Sequence, residues 1–328
     1  MRAIVTGGAG FIGSHMVDLL LDQGFEVRVL DNLVGGRLDN LSHHSNDPRC
    51  VFEQADICDL PDDPTLFHDV DYVFHFAGIG DIVPSIERPK DYMKVNVQGT
   101  VRVVEASRHA RAKKFVYAAS SSCYGLAKEL PTTETAAIEP QYPYALSKYL
   151  GECVVLHWSQ VYRLPVNSIR IFNAYGPRSR TTGAYGAVFG VFLAQKLKGK
   201  PFTVVGDGTQ TRDFVYATDV ARAFFAAAQS ELSGEIFNLG SSSPQSVNRL
   251  VELLGGSVVY VPKRPGEPDC TWADTRKISG ELGWTPKVSF EQGVASMLGH
   301  IQAWADAPVW TTESIAAATE KWFEHLDR

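Results

Sequence analysis

Three features that would place the chain in a specialised class are missing from its sequence. No apolar run reaches the roughly 20 residues that span a bilayer. The formal net charge is -6 at pH 7 and no basic block occurs, which disfavours the wrapping of nucleic acid. The cysteines are odd in number and lack the close pairs of disulfide frameworks or metal sites. They are Cys50, Cys58, Cys123, Cys153 and Cys270.

The histidines and the first residues limit the protein class further. The nine histidines show no metal-ligand spacing, and His43 and His44 stand in a polar stretch, so we expect no metal site. The chain begins with MRAIVTGGAG, a strand and turn that no charged and apolar leader precedes. Together with the unpaired cysteines, this favours a soluble protein in a reducing cytoplasm that binds neither membrane nor nucleic acid.

Short apolar runs alternate with helix-period segments through the first half of the chain. Helical stretches such as FIGSHMVDLLLDQ and DYMKVNVQGTVRVVEASRHA separate the runs. Strands this apolar are covered on both faces, so the pattern predicts an α/β fold with a Rossmann-type, doubly wound parallel sheet. The predicted strands are RAIV, EVRVL, CVFEQ, YVFHF, KFVYA and VNSIR.

After about residue 172 the loops become longer, and shorter strands follow, FTVV, RDFVY and EIFNL. We expect residues 1–172 to form the Rossmann domain and residues 173–328 mainly a smaller, mixed α/β lobe, with some segments returning to the first domain. The tail TTESIAAATEKWFEHL predicts an amphipathic helix that Thr311 or Thr312 caps. Its apolar face should pack on the body of the protein or on a partner chain: Ile315, Ala318, Trp322 and Leu326.

The segment TGGAGFIG follows the first predicted strand and opens the first helix. Gly8, Gly10 and Gly13 match G-x-G-x-x-G, and Gly7, Gly10 and Gly13 match a second spacing; both let the backbone approach a pyrophosphate. Asp31 ends the next predicted strand, where its carboxylate can accept hydrogen bonds from ribose hydroxyls and repel a 2'-phosphate. The pattern therefore predicts NAD rather than NADP.

Two neighbouring stretches also bear on the cofactor. Arg28 and Arg37 lie close enough to Asp31 in sequence to leave NADP open. The stretch ADIC after the third predicted strand puts Asp56 and Ile57 where they can hold the edge and face of an adenine.

The stretch QYPYALSKYLGE places Tyr144 and Lys148 four residues apart, directly after Pro143. Two such residues share one face of a helix, and a proline suits the first turn of one. The stretch YGLAK gives the same spacing with Tyr124 and Lys128, but a glycine follows that tyrosine and indicates a strand-to-loop junction. Only the pair of Tyr144 and Lys148 is therefore predicted to be helical.

A series of motifs in a fixed order resembles the extended short-chain dehydrogenase/reductase family, in particular its NAD-dependent nucleotide-sugar epimerases and dehydratases. The closest likeness is to UDP-glucose and UDP-N-acetylglucosamine 4-epimerases, and it runs from residue 1 to about 300. The motifs are TGGAGFIGSH, DNLVGGR, ADICD, HFAG, NVQGT, ASSSCYG, YALSK, RIFNAYGPR, VVGDGTQTRDFVY, KRPGEP and ELGWTPK.

The resemblance implies roles for particular residues. It makes Tyr144 and Lys148 the catalytic tyrosine and lysine and Ser120 their hydroxyl partner. It assigns Asn173, Arg212, Arg264 and Glu267 to the nucleotide sugar, whose diphosphate suits two planar guanidiniums, and Thr271 to the edge of the sugar pocket. The implied NAD contacts are Gly7, Gly10, Phe11, Ile12, Gly13, Asp31, Asn32, Asp56, Ile57, Ala77, Tyr144 and Lys148.

The chemistry that this implies runs through a 4-keto sugar. Tyr144 removes the proton of the sugar 4-hydroxyl while hydride passes to NAD. A phenol has a pKa of about 10, and lowering it by about 3 units takes about 4 kcal/mol. Lys148 and the oxidised nicotinamide are the positive charges that can supply this.

Ser121 and Ser122 distinguish among the activities of the family. Family dehydratases carry an acid pair at these two positions, and family decarboxylases carry a glutamate at the first. A serine hydroxyl is a poor acid or base near neutral pH, so we expect a 4-epimerase. A nucleotide-sugar 4-ketoreductase, a 4,6-dehydratase and a non-catalytic NAD-binding redox sensor remain as alternatives.

Two clues concern the sugar, and the family suggests an assembly. A small residue at position 271 leaves room for a 2-acetamido group, and GAYGAV, at residues 183–188, looks like family members that act on N-acetylated sugars. Glucose and N-acetylglucosamine both stay open. The family also implies a homodimer through the segments 92–109 and 143–162, whose apolar residues equally suit burial against the sheet.

Overall fold

A seven-stranded, all-parallel sheet forms the centre of the computed structural model, which describes residues 1–62, 64–181 and 187–326. The strands are β1 (Arg2–Thr6), β2 (Glu26–Asp31), β3 (Cys50–Gln54), β4 (Tyr72–His75), β5 (Lys114–Ser120), β6 (Val166–Ile171), β7 (Asn173–Tyr175), β8 (Phe202–Val205), β9 (Thr211–Arg212), β10 (Phe214–Tyr216), β11 (Glu235–Leu239), β12 (Gln245–Ser246) and β13 (Val258–Val261). The spatial order β11-β6-β5-β4-β1-β2-β3 is the doubly wound Rossmann order with one added strand. The predicted fold class and all six predicted strands of the first half are confirmed.

Helices cover both faces of this sheet. They are α1 (Phe11–Asp22), α2 (Ile82–Glu87), α3 (Pro89–Met93), α4 (Thr100–His109), α5 (Pro143–Tyr162), α6 (Val188–Leu197), α7 (Ala217–Gln229), α8 (Val247–Leu254), α9 (Arg276–Leu282), α10 (Phe290–Gly299) and α11 (Thr312–Leu326). Because side chains alternate along a strand, β5 sends Val116 and Ala118 to a core with α1 and α7, and Phe115 and Tyr117 to a core with α4 and α5. No helix among the described residues is both long and apolar enough to cross a membrane.

The second half of the chain contributes a second hydrophobic core, called the lobe below, and adds β11 to the main sheet. The pairs β7–β10, β8–β13 and β9–β12 belong to the lobe, and the rings of Tyr175, Phe189, Phe214 and Phe290 fill its core. The predicted strand EIFNL pairs with β6 in the main sheet, since its inner residues Phe237 and Leu239 are buried in the core of the first domain.

Two predicted elements differ in detail. The stretch RDFVY is interrupted at Asp213, whose buried carboxylate accepts hydrogen bonds from Ser241 N and Ala273 N at 2.6 and 2.9 Å. The predicted helix at residues 91–110 is formed by α3, a π-helical segment at Lys94–Gly99, and α4. Such wide turns recur beside functional sites.

The predicted terminal helix is confirmed as α11. Thr311 caps it, because its hydroxyl accepts the Ser314 N–H at 3.2 Å. Ile315 and Trp322 are 4% and 1% exposed, so the apolar face packs on the body of the same chain. α11 contacts α2 of the first domain and the core of the lobe.

Candidate active site

Tyr144 lies at the carboxyl ends of the central strands, where parallel sheets bind their ligands. It stands in the first turn of α5, and its hydroxyl is 3.3 Å from Oγ of Ser120, the last residue of β5. Ser120 Oγ also accepts the Ser122 N–H at 3.2 Å, which orients this hydroxyl. The structure therefore brings together the predicted tyrosine and its predicted hydroxyl partner.

Lys148 follows one turn later on the same face of α5 and is buried. Its Nζ lies 4.6 Å from the centre of the Tyr117 ring. Burial lowers the pKa of Lys148 to about 8, and the negative charge of Glu152 opposes this shift. The amine is thus desolvated and directed toward the loop at Gly78, where an added Cβ would lie 3.8 Å from Nζ.

Burial raises the pKa of the Tyr144 phenol above its usual value of 10, and the negative charge of Asp81 raises it further. The hydrogen bond with Ser120 acts in the opposite direction. A buried phenolate is disfavoured because it loses its hydration. On balance the groups around Tyr144 therefore raise its pKa, and the fall expected from the sequence is not produced by the protein alone.

The second tyrosine–lysine pair, Tyr124 and Lys128, does not share a helix. Tyr124 ends a 3-10 turn, and its buried hydroxyl donates to Asn238 at 2.7 Å and accepts from Arg170 at 2.7 Å. Lys128 lies outside any helix and pairs on the surface with Glu139. The prediction that only Tyr144 and Lys148 form a helical pair is confirmed.

The glycine turn between β1 and α1 fits the pyrophosphate of a dinucleotide. Gly7 has φ +67°, and an added Cβ at Gly13 would lie 2.2 Å from Gly7 O, so the turn closes only with glycine. Gly10 precedes α1 and has no side chain to cap it. The first N–H groups of α1, beginning at Phe11 and Ile12, are thus available to an anion.

The predicted adenosine-binding residues surround the ends of β2 and β3. Asp31 accepts the Leu33 and Ala9 N–H groups at 2.8 and 3.1 Å. Asn32 donates to the Asp56 carboxylate at 2.9 Å. The remaining predicted contacts are at the same edge, with Ile57 buried after β3 and Ala77 following β4 beside the glycine turn.

Arg28 and Arg37, whose positions in the sequence left NADP open as the cofactor, both have partners other than Asp31. Arg28 donates to Leu66 O and His68 O at 2.5 and 3.2 Å. Arg37 forms an exposed ion pair with Asp39 at 2.9 Å. Because no arginine among the described residues is paired with Asp31, the carboxylate keeps its preference for a ribose hydroxyl over a phosphate.

The predicted substrate residues gather on the lobe side. Arg264 forms an ion pair with Glu267 at 2.8 Å, and both line a cavity of about 660 Å³. Burial lowers the pKa of Arg212; the negative charge of Glu267 opposes this shift, and the positive charge of Arg264 adds to it, so Arg212 lies near both. The other two predicted residues contact each other, because Thr271 donates a hydrogen bond to Asn173 Oδ1 at 2.8 Å.

Several residues near the site were not assigned from sequence. Asn96, in the π-helical segment, accepts the Ile79 N–H at 2.9 Å and donates to Ser147 at 2.9 Å, which ties the loop after β4 to α5. Asn96 belongs to the NVQGT motif, so this motif was the feature of the sequence that could have identified it. The Tyr142 ring lies parallel to the Tyr144 ring, with centres 6.4 Å apart.

One group of potential metal ligands lies away from this site. His43 and His44 each contact the same Asp18 oxygen at 2.8 Å. Arg178 pairs with the other Asp18 oxygen at 2.8 Å. A guanidinium beside the carboxylate disfavours a cation, so we interpret this group as a network of hydrogen bonds and one ion pair centred on Asp18. Most of the GAYGAV stretch at residues 183–188 lies outside the described residues.

Comparison with known proteins assigns the family. The model of the NAD dependent epimerase/dehydratase family matches residues 3–240. The chain is 36% identical over 299 residues to a putative UDP-glucose 4-epimerase of Methanocaldococcus jannaschii, covering 89% of this chain and 95% of that protein. The chain therefore belongs to the NAD dependent epimerase/dehydratase family.

Two solved structures share the fold along almost their whole length. One is a UDP-glucuronic acid 4-epimerase of Bacillus cereus in complex with UDP-glucuronic acid and NAD, at 31% identity and TM-score 0.86, with 92% of this chain and 99% of that chain covered. The other is a UDP-N-acetylglucosamine 4-epimerase of Methanobrevibacter ruminantium, at 29% identity and TM-score 0.85, with 91% and 98% covered. The family depends on NAD, and the glycine turn and Asp31 fit that cofactor.

Proposed function

We propose that the protein is an NAD-dependent 4-epimerase of a UDP-sugar. The observation that carries this proposal is the pairing of the Tyr144 and Ser120 hydroxyls beside Lys148, with serines at positions 121 and 122. The pairing suits oxidation of a sugar hydroxyl. The two serines offer no carboxyl group for the proton transfers of a dehydratase.

The proposed reaction needs one group that both accepts and returns a proton. Tyr144 takes the proton of the 4-hydroxyl, and the hydroxyl of Ser120 donates a hydrogen bond to the reacting oxygen. NAD supplies the acceptor for the hydride of carbon 4 and later its donor. When the 4-keto sugar has turned its other face, Tyr144 returns the proton and the 4-epimer forms.

The proposed contacts to the substrate are residues of the lobe. The charges of Arg264 and Glu267 both act on Arg212, so these residues lie close together, and we propose that the two guanidiniums bind one diphosphate. We further propose that Glu267, the ion-pair partner of Arg264, contacts the ribose and that Asn173 and Thr271 border the sugar. The named relatives, UDP-sugar 4-epimerases, support UDP as the nucleotide and UDP-glucose or UDP-N-acetylglucosamine as the substrate.

Incubation of the purified protein with a panel of UDP-sugars, without added cofactor, tests the proposal. We expect a new isomer of unchanged mass, detected by proton NMR and mass spectrometry, because NAD that stays bound is regenerated in each cycle. Loss of water would instead establish a dehydratase. Conversion that starts only when reduced cofactor and a 4-keto sugar are added would establish a ketoreductase, and either result would overturn the epimerase.

Two further proposals concern assembly and location. We propose a homodimer through α4 and α5, because Leu146 and Leu150 leave an exposed apolar stripe along α5 with 39% and 37% exposure. Sedimentation at low concentration should give twice the mass of the chain, and Leu150→Asp should give the mass of one chain.

The proposed cytoplasmic location is supported by the five cysteines, which are all unpaired.

A further inference from the structure

The C-terminal helix α11 borders the cavity that Arg264 and Glu267 line. It contacts α2 in the first domain and packs into the core of the lobe through Ile315. Phe323 lines the same cavity of about 660 Å³ as Arg264 and Glu267. The motifs of the family end at about residue 300, so this wall is formed by a segment that they do not reach.

Trp322 is the point at which α11 meets the candidate binding residues. Its side chain is 1% exposed, and its indole N–H donates to Pro265 O at 2.7 Å. The Arg264 guanidinium lies 5.3 Å from the centre of the indole ring. The indole therefore holds the segment of Arg264 and Pro265 by a hydrogen bond and a cation–π contact.

The Trp322 indole is also connected to Tyr144, the candidate catalytic tyrosine, because the ring of Tyr142 lies near both. Tyr142 lies 6.1 Å from Trp322 and 6.4 Å from Tyr144, measured between ring centres. One indole thus contacts both the candidate diphosphate arginine and the residue that precedes the catalytic turn of α5.

We propose that Trp322 is a positioning residue that holds Arg264 for the diphosphate of a UDP-sugar, and that α11 is part of the substrate cleft. This inference rests on the proposed function. An arginine on a buried aromatic face loses less conformational freedom when it binds an anion. The diphosphate does not change during reaction at carbon 4, so its binding is equal in ground and transition states and should affect KM rather than kcat.

The test compares Trp322→Leu with Trp322→Phe in the full chain. Leucine keeps an apolar side chain without a ring, and we expect the Kd for UDP and the KM for the UDP-sugar to rise by on the order of tenfold. Phenylalanine keeps the aromatic face and should stay within about threefold of the wild type. Both variants should keep the wild-type kcat and NAD content.

Ile315→Ala is the matched control, because Ile315 is buried on the same helix seven residues earlier and contacts only the lobe core among the described clusters. It should lower the melting temperature without changing the Kd for UDP. Equal UDP binding by the leucine and phenylalanine variants, or an equal loss in Ile315→Ala, would overturn the role of Trp322. A wild-type protein that neither binds UDP nor converts any UDP-sugar would instead overturn the proposed function.

Discussion

Tyr144→Phe is expected to lower turnover of the UDP-sugar by about 10³-fold while the protein keeps its NAD and its melting temperature. Phenylalanine retains the ring that lies parallel to Tyr142, so the change removes only the hydroxyl 3.3 Å from Ser120. Without it, no group at this position takes the proton of the 4-hydroxyl. Initial rates at saturating substrate and the NAD released on denaturation measure the two effects.

The matched control is Tyr149→Phe, which makes the same chemical change five residues later on α5. Turnover of this variant should equal that of the wild type.

The turnover of the wild type should also fall as the pH drops through the pKa of Tyr144 in the complex, since the phenolate is the base. The residual turnover of Tyr144→Phe should not follow this titration. More than a tenth of wild-type turnover in Tyr144→Phe would exclude the hydroxyl as the base.

Glu152→Ala is expected to lower the free energy of unfolding by about 3–5 kcal/mol. Glu152 and Arg170 form an ion pair at 2.6 Å with side chains 2% and 3% exposed. Ser168 also donates to this carboxylate at 2.8 Å. Removing the glutamate leaves a buried guanidinium without its counter-charge, and that desolvated charge is the source of the loss. Urea denaturation with NAD at a fixed concentration measures it.

A surface ion pair provides the comparison for this prediction. Glu252 pairs with Arg249 on α8 at 2.7 Å, and its side chain is 69% exposed. Water solvates both charges there, so Glu252→Ala should leave the denaturation midpoint unchanged within error. If Glu152→Ala and Glu252→Ala shift the midpoint equally, the buried pair does not hold the strands and α5 together behind the site.

The strands of the first domain were predictable because each is a short apolar run that a polar turn ends. Burial on both faces favours such runs in a parallel sheet; β1, β4 and β5 show them clearly, whereas the edge strand β3 has no fully buried residue. The strand β11 has the same apolar character, but no local signal states which sheet it joins. Its place beside β6 depends on α7, which packs against α1 and returns the chain to the first domain.

Some features of the candidate site were likewise predictable from the sequence, and others were not. Pro143 and the spacing of Tyr144 and Lys148 predicted one helix face, and the glycine turn predicted an anion site at a helix start. The pKa of Tyr144 was not predictable from these residues, because burial and the charge of Asp81 raise it. Both effects depend on which chain segments enclose the phenol.

Elements with local causes were predictable from the amino-acid sequence: apolar strands, a glycine turn that excludes a Cβ at Gly13, and a tyrosine and a lysine one helical turn apart. Which side chains from distant parts of the chain come into contact depends on the packing of the whole protein. This packing placed Trp322 between Arg264 and Tyr142 and directed Arg28 away from Asp31. Spacing along a chain specifies neighbours only within one element, whereas contacts between elements depend on how the whole core packs.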